Sequence, residues 1–324
     1  MAQTALITGI TGQDGTYLSE LLVSKGYVIH GTIRPSSDAA VSEELSDRVT
    51  LHNVDLTTDR SVRDLLQGVQ PDEIYNLAAI SSLEESDAEP ARTAEVNGSV
   101  PIRIITAIEG LGAQKETRFC QASSSQIFGT PDGRARDEST PIRPENPYAV
   151  AKAHAHATVA SARTDKGLFG ASAILFNHES PRRSKRFVSR KISAGVALIA
   201  AGKAHNLHLW NLESSRDWGF AGDYVRAMWL MLQHDEPDDF IVATGMTHTV
   251  GDFVAAAFAA AGISEWEPLV ETGDGPIEVG SPGMATKARG RLGWVPEVSF
   301  ASLVSLMVEH DRDLLDQGAP QHRS

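Results

Sequence analysis

The sequence predicts an α/β fold in which helices cover both faces of a doubly wound parallel sheet. Two observations carry this prediction. Apolar runs of strand length alternate with longer segments of helical period, and a glycine-rich turn follows the first apolar run, residues 5–8. At 324 residues, the chain is long enough for one large domain or for two modest domains that share a cleft.

The alternation orders the elements along the chain. Strand-like runs are predicted at residues 5–8, 27–31, 49–53, 73–77, 118–122, 170–176 and 239–243. Helical periods are predicted at residues 17–25, 60–68, 89–110, 148–166, 188–201, 224–233, 250–261 and 301–316. From Asn177 onward the pattern loosens into loops rich in proline, arginine and serine. We therefore predict a Rossmann domain over 1–176, completed by 217–245, and a smaller C-terminal α/β substrate-binding region over 177–324.

Charge and composition argue against several classes of protein. The chain carries 42 acidic and 29 basic residues, and this net charge of −13 argues against nucleic acid as the main partner. A single cysteine, Cys120, excludes an intramolecular disulfide framework and argues against a cysteine zinc site. His154 and His156 point to different faces of a predicted helix, so no metal site is expected. Because no apolar run approaches the roughly 18 residues that span a bilayer, and no leader-like segment begins the chain, we expect a cytosolic protein without a membrane partner.

The first strand-like run leads into a turn with the spacing G-x-x-G-x-x-G. Glycines at a strand-to-helix junction let the helix N-terminus approach a pyrophosphate, so the turn predicts dinucleotide binding. After the second strand, where NAD enzymes usually carry an acid, this chain has Arg34 and then two serines. An arginine suits a 2′-phosphate and favours NADP over NAD, with a solvated loop residue as the alternative. The cofactor-binding residues predicted from this turn and from the following strand ends are Gly9, Thr11, Gly12, Gln13, Asp14, Gly15, Arg34, Asp55, Leu56, Leu77, Ala78 and Ala79.

A Tyr-x-x-x-Lys spacing occurs at Tyr148 and Lys152, which a helix would place on one face, one turn apart. A nearby ammonium lowers the pKa of a phenol, so the tyrosine can act as general base for an alcohol that is being oxidised. Upstream, Ser124, Ser125 and Gln126 follow a predicted strand, where they can hydrogen-bond a substrate oxygen or form an ordinary serine-rich turn. Together with the glycine turn, these residues occur in the order of an extended short-chain dehydrogenase/reductase. We predict all five as catalytic, and the Tyr-Lys pair also as a contact to the cofactor.

A basic segment between residues 177 and 218 stands out in the otherwise acidic chain. Arginine side chains bind phosphates through two parallel hydrogen bonds, so the segment predicts a substrate that carries a diphosphate. A solvated charged face or a contact between subunits is the alternative. Within this segment, Glu179 and Arg183 are predicted to bind substrate.

Three strings of residues resemble the GDP-mannose 4,6-dehydratase family. They are the first strand with its glycine turn (5–15), Gln-Pro-Asp-Glu-Ile-Tyr-Asn-Leu-Ala-Ala (70–79) and Asn-His-Glu-Ser-Pro-Arg-Arg (177–183), and the likeness continues in 215–219 and 223–232. The resemblance implies that Ser124 is the catalytic threonine or serine of the family and that Lys152 is the partner of Tyr148. It also implies that the sugar nucleotide is lined by Asn177, Lys191, Arg216 and Glu278.

The resemblance further implies a lyase reaction of deoxysugar biosynthesis. Tyr148 removes the C4 hydroxyl proton of a GDP-hexose while hydride passes to NADP. A carboxylate then takes the C5 proton of the 4-keto sugar, water leaves from C6, and hydride returns to C6. In the family, a loop in the region 34–49 crosses to a neighbouring subunit. A homodimer or homotetramer is therefore expected, although this loop is shorter here.

The chain departs from the family pattern at three places, one of which is residues 80–82, Ile-Ser-Ser here and usually Gln-Ser-His in the family. The family has a glutamate, the C5 base, where this chain has Gln126, and an amide takes up no proton near neutral pH. Three explanations of the glutamine compete. It is an engineered change, another group such as Glu84, Glu85 or a water serves as the C5 base, or the natural reaction is not 4,6-dehydration. The third departure is Gly275, where the family has an arginine that contacts the diphosphate. A C4 epimerase or 4-keto reductase needs no C5 base and is the alternative function, and a non-catalytic relative that binds NADP and sugar nucleotide is a third.

Overall fold

The computed structural model describes residues 2–35, 41, 43–113 and 116–317. Its strands are β1 (Thr4–Thr8), β2 (Val28–Ile33), β3 (Val49–Asn53), β4 (Glu73–Asn76), β5 (Arg118–Ser124), β6 (Phe169–Leu175), β7 (Asn177–Glu179), β8 (Leu207–Leu209), β9 (Ser215–Phe220), β10 (Asp239–Val242), β11 (Thr247–Thr249) and β12 (Val270–Thr272). Its α-helices are α1 (Gln13–Ser24), α2 (Glu43–Ser46), α3 (Asp59–Val69), α4 (Leu83–Ala88), α5 (Pro90–Thr93), α6 (Val100–Gly110), α7 (Pro147–Lys166), α8 (Val188–Ala200), α9 (Ala221–Gln233), α10 (Val250–Ala260), α11 (Thr286–Leu292) and α12 (Phe300–Asp316).

Within these residues, seven parallel strands form the central sheet, in the order β10-β6-β5-β4-β1-β2-β3. The order of the strands reverses between β1 and β4, which are neighbours in the sheet. Such a reversal leaves a crevice at the carboxyl ends of the two strands, and ligands of open α/β sheets bind there. The predicted doubly wound parallel sheet is confirmed, and its crevice lies at the predicted glycine turn.

Apolar side chains cover both faces of the sheet. One face packs against α1 and α9 through residues such as Leu22 and Met228, and the other packs against α3 and α6 through residues such as Leu65 and Ile104. A further core around Phe253 lies among α8, α10 and α12. Because α9 contacts α1 and β10 pairs with β6, the chain returns after β9 to the central sheet and to the helices on the α1 side of that sheet. The domain limits at residues 176, 217 and 245 stay a prediction.

The predicted helix over 89–110 differs from the observed structure. It divides into α5, a π-helical stretch at Ala94–Ser99, and α6. Pro101 has no amide hydrogen to donate to the carbonyl of residue 97, which disturbs the regular helical ladder. The buried Asn97 side chain instead accepts a hydrogen bond from Ile80 N at 2.8 Å and donates one to Ile80 O at 2.9 Å. These two hydrogen bonds hold Ile80, in the segment that follows β4, against the π-helical stretch.

Helix α1 also differs from its prediction, because it begins at Gln13 rather than at residue 17. Its first turn consists of polar residues and glycine, which carry no apolar period. The short helices α2, α4 and α11 were not expected from the pattern. Within the described part of the chain, no helix combines the length and the apolar character needed to cross a bilayer.

Candidate active site

The glycine turn forms a cradle between β1 and α1. Gly9 has φ +68°, and a Cβ at this position would lie 2.9 Å from Ala78 Cα. A Cβ on Gly15 would lie 2.5 Å from the carbonyl oxygen of Ile10. Gly12 is the N-cap of α1 and has no side chain with which to cap the helix. The open helix N-terminus, lined by backbone, fits the pyrophosphate of a dinucleotide.

A polar clamp joins the two strand ends that border the cradle. The Thr8 hydroxyl donates to Asn76 Oδ1 at 2.7 Å and accepts hydrogen bonds from the amides of Leu77 and Ala78 at 3.1 and 3.0 Å. Asn76 Nδ2 donates in turn to Gln121 Oε1 at 2.8 Å. The clamp holds the predicted wall residues 77–79 against Gly9, and the sequence alone did not reveal the pairing of Thr8 with Asn76 because they lie 68 residues apart.

The ends of β2 and β3 hold the remaining predicted cofactor contacts. Arg34 follows β2 and is exposed, whereas Ser36 and Ser37 lie outside the described residues. Asp55 Oδ1 accepts hydrogen bonds from the Thr57 hydroxyl and amide at 2.7 and 2.9 Å, and these bonds lower the pKa of Asp55. Leu56 packs against the core on the α3 side of the sheet.

Helix α7 presents the Tyr-Lys pair to the end of β5. Asn146 caps the helix by accepting a hydrogen bond from Ala149 N at 2.8 Å, which starts the helix just before Tyr148. Lys152 Nζ donates to Ala122 O at 2.9 Å and lies 5.8 Å from the centroid of the Tyr148 ring. Burial lowers the pKa of Lys152 to about 8. The ammonium therefore titrates close to physiological pH.

The Tyr148 phenol is neutral at physiological pH in this arrangement. Burial raises its pKa, while a hydrogen bond with Ser124 and the positive charge of Arg183 oppose that rise. Ser124 ends β5 and also accepts a hydrogen bond from Gln126 N at 3.3 Å, which shapes the turn that follows the strand. The structure thus brings Ser124, Tyr148 and Lys152 together at the carboxyl edge of the sheet.

A cleft runs from this edge toward the C-terminal region. Five predicted residues line it, namely Ser125, Gln126, Asn177, Arg216 and Glu278. Arg216 Nη2 lies 2.6 Å from Glu278 Oε2, so the two charges pair at the cleft wall. Sequence reasoning missed other lining residues, including Arg136, Asp217 and Ser281. No local motif marks Arg136, because its loop reaches the cleft through a backbone contact with the distant Gly283.

The other three predicted substrate residues lie apart from the lining of this cleft. Glu179 is buried, accepts a hydrogen bond from the Ser189 hydroxyl at 2.6 Å and lies 3.1 Å from Arg183 Nε. Arg183 also lies over the Phe187 ring, at 3.5 Å from its centroid. Lys191 is exposed on α8. Glu179 therefore positions Arg183, whose charge acts on Tyr148, and Lys191 faces solvent.

A half-buried ion pair ties the glycine turn to β7. His178 Nε2 lies 2.9 Å from Asp14 Oδ2, and His178 Nδ1 lies 2.7 Å from Phe176 O. Burial favours the neutral form of both groups, but their mutual charge and hydrogen bond outweigh it, so the pKa of His178 is raised and that of Asp14 is lowered. Gln13 reinforces the connection by donating to His178 O at 3.1 Å. These contacts keep the cradle in register with the cleft.

The carboxylates that line the cleft are already committed to other partners. Asp217 accepts hydrogen bonds from the hydroxyl and amide of Thr244 and from the amides of Gly245 and Gly283. Glu278 is paired with Arg216. Glu85, one of the alternative bases named above, lies on α4 at 3.5 Å from Arg186, and neither it nor Glu84 lines the cleft.

Comparisons with known proteins give a consistent result. A family model described as GDP-mannose 4,6 dehydratase matches residues 6–307. The chain is 44% identical over 327 residues to GDP-mannose 4,6 dehydratase 2 of Arabidopsis thaliana, covering 96% of this chain and 87% of the relative. It is 40% identical to GDP-mannose 4,6 dehydratase of Homo sapiens, covering 96% of this chain and 92% of the relative.

Solved structures share the fold at lower identity. UDP-glucose 4-epimerase of Thermotoga maritima, solved with UDP-glucose, superposes with a TM-score of 0.85 at 23% identity and covers 97% of this chain and 100% of that one. RMD of Pseudomonas aeruginosa, solved with NADPH, gives 0.81 at 22% identity over 97% and 98% of the two chains. dTDP-glucose 4,6-dehydratase of Bacillus anthracis, solved with NAD, gives 0.84 at 16% identity over 97% and 98%.

Proposed function

The chain belongs to the GDP-mannose 4,6-dehydratase family, and from this premise we propose that it removes water from GDP-mannose to give a 4-keto-6-deoxy sugar nucleotide. Relatives that are about 40% identical over nearly the whole chain support this function. The observation that carries the proposal is the meeting of Ser124, Tyr148 and Lys152 beside a cleft lined by Asn177 and Arg216.

A nicotinamide dinucleotide, when bound, supplies the acceptor and the donor of hydride. The cradle between β1 and α1 would hold its pyrophosphate, because the backbone at Gly9 and Gly12 leaves the helix N-terminus free for an anion. We propose NADP rather than NAD on the strength of Arg34, an exposed guanidinium placed directly after β2. Comparison of the KM values for NADP and NAD tests this preference, and an Arg34→Ala variant should reduce it.

Several residues of the site each have a role in the oxidation of C4. Tyr148 takes the proton of the C4 hydroxyl, and Ser124 hydrogen-bonds the same oxygen. Because burial raises the pKa of Tyr148, the phenol needs a nearby positive charge to ionise. Lys152 supplies such a charge while its ammonium is protonated, that is, below a pKa of about 8. The Arg183 guanidinium acts in the same direction.

The elimination step rests on a group other than Gln126, because an amide does not accept a proton at neutral pH. Asp217 and Glu278 line the cleft but are held by hydrogen bonds and by Arg216, respectively. Gln126 therefore favours a second candidate function, a C4 epimerase or 4-keto reductase acting on a nucleotide sugar. Such reactions use the Tyr-Lys pair and need no base at C5.

Incubation of the protein with NADP and GDP-mannose tests both candidates. The dehydratase produces a sugar nucleotide lighter by one water, with no net rise in NADPH absorbance. A product of unchanged mass but altered retention supports epimerisation. If neither product forms and no NADPH accumulates, the dehydratase proposal is wrong.

We further propose that the chain forms a homodimer or homotetramer, as the family resemblance implies. Light scattering coupled to size-exclusion chromatography measures this directly, and a monomer at micromolar concentration would contradict the proposal.

A further inference from the structure

Trp210 is an exposed tryptophan at the end of β8. Its exposed fraction is 74%, a large apolar surface to leave in water. The backbone of Gly275 lies against its side chain, because a Cβ built on Gly275 would lie 2.8 Å from Trp210 Cβ and 3.0 Å from Trp210 Cε3. Gly275 N also donates to Trp210 O at 3.2 Å. The absence of a side chain at residue 275 is therefore what makes room for the indole.

The segment beneath Trp210 leads directly into the substrate cleft. Asn211 Nδ2 donates to Pro276 O at 2.8 Å, and Glu278 N donates to the Ser214 hydroxyl at 3.0 Å. Glu278 lines the cleft and lies three residues from Gly275, a distance of at most about 11 Å along extended chain. Trp210 therefore lies next to the chain segment that leads to Glu278 at the wall of the cleft.

This position matches the nucleoside end of the proposed substrate. The proposed function places the hexose at Ser125 and Gln126 and the diphosphate near Arg216, residues that line the cleft, so the base would extend past Glu278 toward Trp210. We propose that Trp210 stacks on the purine base of the sugar nucleotide. This inference rests on the proposed function, because it takes the orientation of the substrate from it.

Stacking would replace a charge contact by an apolar one. The family resemblance implies an arginine at residue 275 that contacts the diphosphate, and Gly275 removes that cation. An aromatic face at the neighbouring Trp210 holds the base instead, and every base offers a π-face to such a platform. Nucleotide affinity then depends on the aromatic ring at residue 210 and on an empty position at residue 275.

Titration calorimetry with GDP tests the proposal on three variants of the full chain. Trp210→Ala should weaken GDP binding about tenfold or more, whereas Trp210→Phe keeps an aromatic face and should stay within a few-fold of the parent. Leu306→Ala, which removes a 41% exposed apolar side chain from α12, is the matched control and should leave the affinity unchanged. Inorganic pyrophosphate, which has no base, should bind the parent protein and Trp210→Ala equally.

A double-mutant cycle tests whether Gly275 acts through the indole. Gly275→Ala places a Cβ against Trp210 and should weaken GDP binding in the parent protein, but not in the Trp210→Ala background. If the parent protein and Trp210→Ala bind GDP with equal affinity, the stacking proposal alone is overturned. It is also overturned if Trp210→Ala weakens the binding of pyrophosphate as much as that of GDP. If the parent protein binds no GDP, both this proposal and the proposed function fail.

Discussion

Replacing Gln126 with glutamate should accelerate the loss of water by about 10²- to 10⁴-fold, the usual contribution of a positioned general base. At roughly 1.4 kcal/mol per factor of ten, this corresponds to about 3–6 kcal/mol of activation free energy. The substitution keeps the shape of the side chain and changes only an amide into a carboxylate. Because Gln126 is half-buried in the cleft, a carboxyl group there should have a raised pKa, which makes it a stronger base once ionised.

We expect the full acceleration, because the other carboxylates that line the cleft are engaged with other partners. Asp217 already accepts hydrogen bonds from three residues, and Glu278 pairs with Arg216 at 2.6 Å. Neither group is free to replace a base at residue 126, so we expect the parent protein to eliminate water slowly.

The assay follows the mass of the product in heavy water. A base that removes the C5 proton leaves solvent deuterium at C5 when the double bond is reduced, so each turnover of Gln126→Glu should add one deuterium. Gln67→Glu introduces the same charge on the exposed face of α3 and serves as the control. If Gln126→Glu and the parent protein eliminate water at the same rate, the missing carboxylate does not limit the reaction and the reasoning is refuted.

Three further predictions concern other parts of the site. Tyr148→Phe should abolish turnover, measured as formation of the sugar nucleotide that is lighter by one water, while calorimetry shows nucleotide binding within about twofold; retained turnover would exclude the tyrosine as base. Arg136→Gln should raise the KM for GDP-mannose about tenfold, the value of one charged hydrogen bond in the cleft, whereas Arg134→Gln should not, because Arg134 is exposed although it approaches the same Asp132. Because the pKa of His178 is raised in the folded protein, its contribution to stability is fully present below pH 6.5 and is lost as the pH rises through the folded pKa. Because the pKa of Asp14 is lowered, its contribution is lost as the pH falls below 3.8. Urea unfolding should therefore show the largest deficit of His178→Gln between these two values, and a deficit that grows with alkaline pH would contradict the ion pair.

The sequence predicts the strands, the helices and the glycine cradle well, because the signals for these features are local. Alternating apolar runs fix the strands and helices, and the glycine spacing fixes the cradle at the end of β1. The same local logic places Tyr148 and Lys152 one turn apart on α7. Such features depend on residues within a few positions of each other, so a single sequence carries them.

The remaining features depend on contacts between distant segments. The Thr8–Asn76 clamp joins residues 68 positions apart, and the Asp14–His178 pair joins residues 164 apart. Arg136 reaches the cleft only because its loop pairs with Gly283. Composition and period carry no trace of these partners, so the charged and polar residues involved look like ordinary surface positions until the chain is folded.

In the proposed mechanism, the choice of reaction depends on single loop positions rather than on the sheet. UDP-glucose 4-epimerase shares the fold at a TM-score of 0.85 and only 23% identity, a likeness that extends to the fold alone. The proposed oxidation of C4 depends on α7 and the end of β5, whereas residue 126 lies in the turn that follows that strand. A change from carboxylate to amide in this turn removes a base without altering the backbone that holds Tyr148 and Lys152. Oxidation and elimination are therefore separable, and a protein that keeps the first while losing the second would have the same core, the same cradle and the same cleft.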